Sequence, residues 1–302
     1  MTSGDNPLGV LFAGSVSGVL ADVATHPLST LKTRLQCTGA ELSRNHTKLS
    51  FYRGFRNVLQ QEGIGALYRG VGIVCAVAAP GQALYFFGYE TARAIGDNSP
   101  IANFIAGGCA QLTGSLVWVP MDVIKERLQI EGKIQTTENY GGSYNATKQI
   151  IKNEGLIGLY RAFWIHQATW VPFNGIYFSV YEFAKKEMKM RYSKNNNDYN
   201  GRNLKDELML NVPCSLFASA IASVATSPLD LVKTRLQVQQ SNPTIFDYKS
   251  PVDAAVKIVK REGVKALFDG LAARIIWLTP RLSLAVTLYE QISCHPMMKR
   301  LS

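Results

Sequence analysis

One ten-residue phrase occurs three times in this chain, and internal repetition of that kind limits the fold more than any single motif can. Pro27-Leu-Ser29-Thr-Leu-Lys32-Thr-Arg34-Leu-Gln36 returns as Pro120-Met-Asp122-Val-Ile-Lys125-Glu-Arg127-Leu-Gln129 and as Pro228-Leu-Asp230-Leu-Val-Lys233-Thr-Arg235-Leu-Gln237. The prolines lie 120 − 27 = 93 and 228 − 120 = 108 positions apart. A second phrase, Glu62-Gly63, Glu154-Gly155 and Glu262-Gly263, follows each proline and precedes an apolar run. The runs end in Tyr89-Glu90, Tyr181-Glu182 and Tyr289-Glu290. Three phrases in one order divide the chain into three like units, 1–98, 99–192 and 207–302. The polar, low-complexity stretch 193–206 between the second and third reads as a flexible linker.

Each unit holds two apolar stretches near the ~20 residues that span a bilayer. They fall at 8–36, 72–93, 101–129, 164–186, 207–237 and 271–292. The expected fold is therefore all-α: six transmembrane helices in three pseudo-symmetric repeats. Short amphipathic helices are expected in the loops over 51–61, 144–153 and 251–261. The mean hydropathy of +0.01 is low for a bundle facing lipid on every side. Polar residues within the spans, Asp22, His166, Arg274 and Arg281, account for it if they face a wet interior. Gly14, Gly18 and Gly107 mark where helices are expected to approach closely.

A net charge of +10 suits anionic lipid or anionic ligands. The basic residues form no single tract, which argues against nucleic acid as a partner. The five cysteines show neither metal-ligand spacing nor a disulfide framework. No nucleophile–base set, phosphate-cradling glycine loop or zinc motif is present, so neither enzyme nor cofactor is expected. The first residues lack a signal or transit pattern, so any targeting is expected to be internal.

Within each phrase, an acid two residues past the proline and a base five past it lie three apart and can face one seam. Three bent helices would bring them into a ring of Asp122, Asp230, Lys32, Lys125 and Lys233, with Ser29 where a third acid belongs. Gln36, Gln129 and Gln237 lie two turns further along and can brace the ion pairs. A matching set stands at the other end: Glu90 with Arg93, Glu182 with Lys185, and Glu290 facing Ser293 where a third base belongs. Tyr89, Tyr181 and Tyr289 adjoin those acids as hydroxyl donors.

In these phrases the chain resembles the mitochondrial carrier family over essentially its full length. The resemblance implies a monomeric six-helix bundle in the inner mitochondrial membrane, in contact with membrane lipid, cardiolipin included. It also implies alternating access to a small-molecule site, the first ring closing the matrix side and the second the cytoplasmic side. Ser29 and Ser293 then predict weakened closure at both ends, which Ser29→Asp with Ser293→Lys would restore.

The family's contact positions fall here on Val77/Ala78, Thr169/Trp170 and Trp277/Leu278. None is charged, and the tryptophans offer a platform for a ring or a cation. Asp22, two turns before Ser29, is expected to face the cavity and receive a positive group, and Arg281 to meet a carboxylate. Ala21-Asp22 through Pro27, with Ala79 through Glu90, is most similar to the S-adenosylmethionine carriers. The stretch Tyr160 to Glu182 instead resembles mitoferrins, the iron carriers. The expected cargo is S-adenosylmethionine or a similar cationic or zwitterionic metabolite. The alternatives are a metal ion, or a carrier-like scaffold or proton leak that exchanges no solute.

Overall fold

The computed structural model describes residues 7–42, 51–95, 100–131, 140–195, 204–239 and 247–294. Every regular element among them is helical. Six long helices carry the bundle: α1 (Pro7–Leu42), α3 (Val71–Ile95), α4 (Pro100–Ile130), α6 (Phe163–Asn195), α7 (Leu204–Val238) and α9 (Leu271–Cys294). Between the members of each pair lie α2 (Phe51–Gln61), α5 (Ser143–Tyr160) and α8 (Pro251–Glu262). The closest packing is between repeats, α3 against α4, α6 against α7, and α9 against α1. The last contact closes the bundle into a ring.

The helices α6 and α7 run into the expected linker from either side, to Asn195 and from Leu204, because the helical pattern outlasts the apolar one. What remains of it, 196–203, lies outside the described residues. Two helical stretches, Ile64–Ala92 and Val212–Val238, are long and apolar enough to cross a membrane on composition alone. Polar interior positions keep the mean of the other long helices lower, while large apolar side chains such as Phe12, Phe87, Ile105, Phe178 and Phe217 remain exposed. Exposed apolar bulk outside and buried charge inside is the inverse of a water-soluble bundle.

Each long helix contains a proline. Pro27, Pro120 and Pro228 belong to the repeated phrase, and Pro80, Pro172 and Pro280 form a second set with nearly the same spacing. Each removes one backbone hydrogen bond from its helix, the usual cause of a bend.

Close helix approach is not where the sequence pattern placed it. No side chain or neighbouring backbone comes within 4 Å of a methyl group built on Gly18 or Gly107, and Gly14 meets only Gln82 at 3.9 Å. The tight seam is between α3 and α4. A methyl on Gly81 would fall 2.3 Å from Trp118 Nε1, and one on Gly88 would fall 2.1 Å from Thr113 Oγ1. Thr113 donates across this seam to the Leu84 carbonyl at 2.9 Å. A partner helix's bulky side chain, invisible to a within-helix pattern, decides which glycine is needed.

The loop helices are tied to the bundle by a threefold set of buried ion pairs. Arg34 grips Glu62 at 2.5 and 2.9 Å, and Arg235 grips Glu262 at 2.5 and 2.8 Å. Arg127 grips Glu154 through both guanidinium nitrogens in the same way. The glycine after each glutamate has positive φ, 80° at Gly63, 70° at Gly155 and 87° at Gly263, where a side chain would be strained. At α8, Ser250 caps the helix by accepting from the Asp253 amide at 3.1 Å, with Pro251 in the first helical position.

Each Arg Nε also reaches the next repeat. Arg34 donates to the Gln129 carbonyl (2.7 Å), Arg127 to Gln237 (3.1 Å) and Arg235 to Gln36 (3.2 Å). Arg235→Met would remove the guanidinium from both the Glu262 carboxylate and the Gln36 carbonyl. Breaking a buried pair costs about 3–5 kcal/mol, so the thermal unfolding midpoint is expected to fall steeply. Lys257→Ala, which removes the more exposed Lys257–Asp253 pair, is expected to cost under about 1 kcal/mol. Equal midpoints for the two variants in one detergent would refute the ring's structural role.

Candidate functional site

The repeated prolines lie inside α1, α4 and α7, and the residues after them meet in one buried layer. Lys32 pairs with Asp230 at 2.8 Å, and Lys233 with Asp122 at 2.6 Å. Both pairs link different repeats. Lys125 pairs at 2.8 Å with Asp122 of its own helix. Both inter-repeat pairs run from one repeat's lysine to the preceding repeat's acid, so Lys125 would answer to position 29. Ser29 offers no charge there, and Lys125 turns back. One carboxylate, Asp122, thus holds two ammonium groups.

The glutamines lie where their spacing placed them, with different partners. Gln36 donates to Asp230 at 2.9 Å, beneath the ion pair. Gln129 donates to Ser29 Oγ at 3.3 Å and accepts from Thr33 at 2.8 Å, so a neutral network fills the uncharged corner. The Gln237 amide donates to Glu126, a buried acid on α4 that the repeat pattern does not mark. Arg274 lies under the layer with Nε 3.7 Å from Asp230 and its guanidinium 5.4 Å from the Phe173 ring centre.

Above the layer is a cavity of about 330 Å³. His26 and His166 form part of its floor. His166 Nε2 lies 3.5 Å from Asp122 Oδ2, and His26 Nε2 lies 3.0 Å from the Arg69 carbonyl. The walls are strongly aromatic: Tyr85, Trp118, Trp170, Phe173, Tyr177 and Trp277. Of the paired positions expected to line it, Ala78, Trp170 and Trp277 do. Their neighbours turn away. Thr169 is buried against its own helix, donating to the Ile165 carbonyl at 2.7 Å. Leu278 is buried among Phe173, Tyr177, Ala218 and Ala222. Val77 is not among the lining residues. One helical step is about 100°, and at each of these three pairs it turns one residue off the cavity. Trp118, which packs over Gly81 and Gly114, is a wall residue that the repeat pattern does not mark.

Asp22 and Arg281 both face this cavity, and they face each other. Arg281 Nε and Nη2 donate to the two carboxylate oxygens of Asp22, the second at 3.2 Å. The expectation of an acid and a base separately awaiting substrate is corrected by this bidentate pair, which joins α1 to α9. Each group satisfies the other, because a charge left alone beside apolar walls is costly.

At the far end no ring forms among the described side chains. Glu90 and Glu182 are exposed, and no ion pair joins either to a base among the described residues. Lys185 lies over the Tyr181 ring, 5.5 Å from its centre, and donates to its hydroxyl at 3.5 Å. The side chains of Arg93, Tyr289, Glu290 and Ser293 lie outside the described residues, so this half of the expected latch is placed only as backbone. Tyr89 is half-buried.

Comparison with known proteins bears on this geometry. The mitochondrial carrier protein family model matches three times, over residues 3–99, 96–192 and 205–298. The chain is 39% identical to mitochondrial substrate carrier family protein E of Dictyostelium discoideum, over 93% of this chain and 94% of that protein. It is 31% identical to mitoferrin of the same organism, over 93% and 91% of the two chains. It is 30% identical to the succinate/fumarate mitochondrial transporter of Saccharomyces cerevisiae, over 94% and 90%. The three matched repeats take in the proline-containing helices, the buried charged layer and the aromatic cavity above it: the chain belongs to the mitochondrial carrier family, whose members are multi-pass transporters of the inner membrane and not enzymes.

Proposed function

We propose that this carrier moves a small zwitterionic metabolite, with S-adenosylmethionine the foremost candidate, through the cavity between its repeats. The observation that carries this reading is the Asp22–Arg281 pair on the cavity wall. A cargo with an ammonium and a carboxylate can exchange partners with it, carboxylate to Arg281 and ammonium to Asp22, leaving no buried charge alone. A purely cationic cargo would strand Arg281, and a purely anionic one Asp22. The tryptophans at 118, 170 and 277 supply faces for a planar ring or a sulfonium.

The lysine–aspartate layer acts as the matrix gate, and the Glu90, Glu182 and Glu290 positions belong to the cytoplasmic gate. In this reading the described state is closed to the matrix. Opening requires breaking the two inter-repeat pairs, Lys32–Asp230 and Lys233–Asp122. The Asp122–Lys125 pair lies within one helix and need not break. Cargo that binds the open-layer state more tightly supplies the difference.

A second reading, a metal-ion carrier, is supported by the 31% identity to mitoferrin and by the two imidazoles lining one cavity. Thermal unfolding of the purified protein separates the two. A ligand at about 100 times its Kd stabilises the folded state by about 2.7 kcal/mol, so S-adenosylmethionine is expected to raise the midpoint by several degrees. An analogue lacking the amino or the carboxyl group is expected to have little effect. Stabilisation by Fe²⁺ and none by the zwitterion would reverse the ranking. In liposomes, Asp22→Asn and Arg281→Gln are each expected to abolish uptake while the protein remains folded; native uptake by either would remove the pair from the site.

A further inference from the structure

We infer that Glu126 is the third acid of the charged layer, standing in for the carboxylate that Ser29 lacks. The inference rests on reading that layer as a gate.

Glu126 follows Lys125 in the second phrase, and the corresponding positions in the other two are Thr33 and Thr234. It is therefore a property of one repeat and not of the threefold pattern. Its side chain lies four residues, one helical turn, beyond Asp122 on α4. It is 3% exposed, as deep as Lys233 and Asp230. Its direct partner is the Gln237 amide. An isolated carboxylate at that depth would cost several kcal/mol and would hold its proton instead, so its charged form depends on cations close by.

The layer contains that charge. Lys32, Lys125 and Lys233 are three cations, and Asp122 and Asp230 are two acids. With Asp122 shared between two lysines, the layer carries an unbalanced ammonium. Arg274, at 3.7 Å from Asp230, adds to the positive side. Glu126 lies within electrostatic reach of Lys233, Lys32 and Lys125, which oppose the repulsion from Asp122 one turn away. It returns the charge that Ser29 removes, at a different point of the ring. Both acids of the α4 phrase then serve the lysines of its neighbours, while the first repeat contributes Lys32 and hydrogen bonds but no acid.

The expectation from the repeat pattern changes accordingly. With Glu126 in place, three acids already answer the three lysines, and Ser29→Asp adds a fourth carboxylate. The gain from that substitution is expected only when Glu126 is neutralised.

The test reads gating directly. A single cysteine replaces Ala78 on the cavity wall, in a full chain whose own cysteines are changed to alanine, reconstituted in liposomes. A membrane-impermeant thiol reagent is applied from one side at a time. Glu126→Thr is expected to speed labelling from the layer's side about tenfold and to slow it from the other side, because a weakened gate shifts the population between the two openings. Ser29→Asp with Glu126→Thr is expected to return both rates to native. Ser29→Asp alone is expected not to slow labelling from the layer's side. Glu126→Gln, which keeps the volume, serves if the threonine variant does not fold.

General loosening would raise both rates together and would overturn the inference. It would also be overturned if Ser29→Asp slowed labelling equally with and without Glu126. Asp122→Asn separates the two levels of the claim. If it speeds labelling from the layer's side while Glu126 variants behave as native, the gate stands and the role of Glu126 falls. If it too behaves as native, the gate reading itself fails.

Discussion

The rest of this structure depends on three arginines that each hold two things at once. Arg34, Arg127 and Arg235 clamp the glutamate of their own repeat's loop and donate through Nε to the glutamine carbonyl of the next repeat. The relay runs from the first repeat to the second, the second to the third, and the third back to the first. A guanidinium suits this role because its fixed fork can bind a carboxylate with one edge while Nε–H points elsewhere. Lysine's three donors radiate from one nitrogen and lack that planar fork. The relay sets the relative height of α1, α4 and α7, and only at that height do the lysines two residues earlier meet acids on a neighbouring helix.

Those lysines point the opposite way around the ring. Lys32 of the first repeat reaches back to Asp230 of the third, and Lys233 of the third reaches back to Asp122 of the second. The arginine relay and the lysine layer therefore tie the third repeat to each of its neighbours from both directions, while the first and second are joined by the relay and the neutral Gln129 network. The arginines are also bound to the loop helices, whereas the lysines bind only across the layer between long helices. A motion that separates the layer can leave the arginine–glutamate clamps within each repeat intact. Division of labour between a persistent clamp and a breakable layer is what a repeat transporter rocking around a central cavity requires.

Two of the departures from threefold symmetry lie where the chemistry is most specific. At the layer, Ser29 replaces an ion pair with a neutral network through Gln129 and Thr33, and Lys125 returns to its own helix. In the cavity, Asp22 has serines at its two counterpart positions and is met by Arg281 from the last helix. A symmetric frame built from three like units cannot distinguish the ends of an asymmetric small molecule. Single substitutions on individual repeats can, without disturbing the frame.

Much of the fold could be read from the repeat alone. The six long helices, the three loop helices and the meeting of Lys32, Lys233, Asp122 and Asp230 follow from periodicity and from three copies of one phrase. What could not be read is who faces whom across helices. Both halves of the Arg–Glu clamps stood in the repeated phrases, yet nothing in spacing says that residues 27 or 28 apart will touch. Gly81 and Gly88 matter because Trp118 and Thr113 lie opposite them, and Gly14 and Gly18 do not because nothing bulky does. The second proline set was visible in the spacing but lay outside the repeated phrase.

The sequence by itself determined a three-unit helical bundle with charged layers at defined heights, because helical period and repetition are local properties of the chain. Only the tertiary structure decided that Asp22 and Arg281, 259 residues apart, neutralise each other on the cavity wall, and that Glu126 sits buried in the layer that Ser29 leaves short of an acid. Charge balance in a buried region is a sum over every helix that enters it, and no single helix carries that sum in its own sequence.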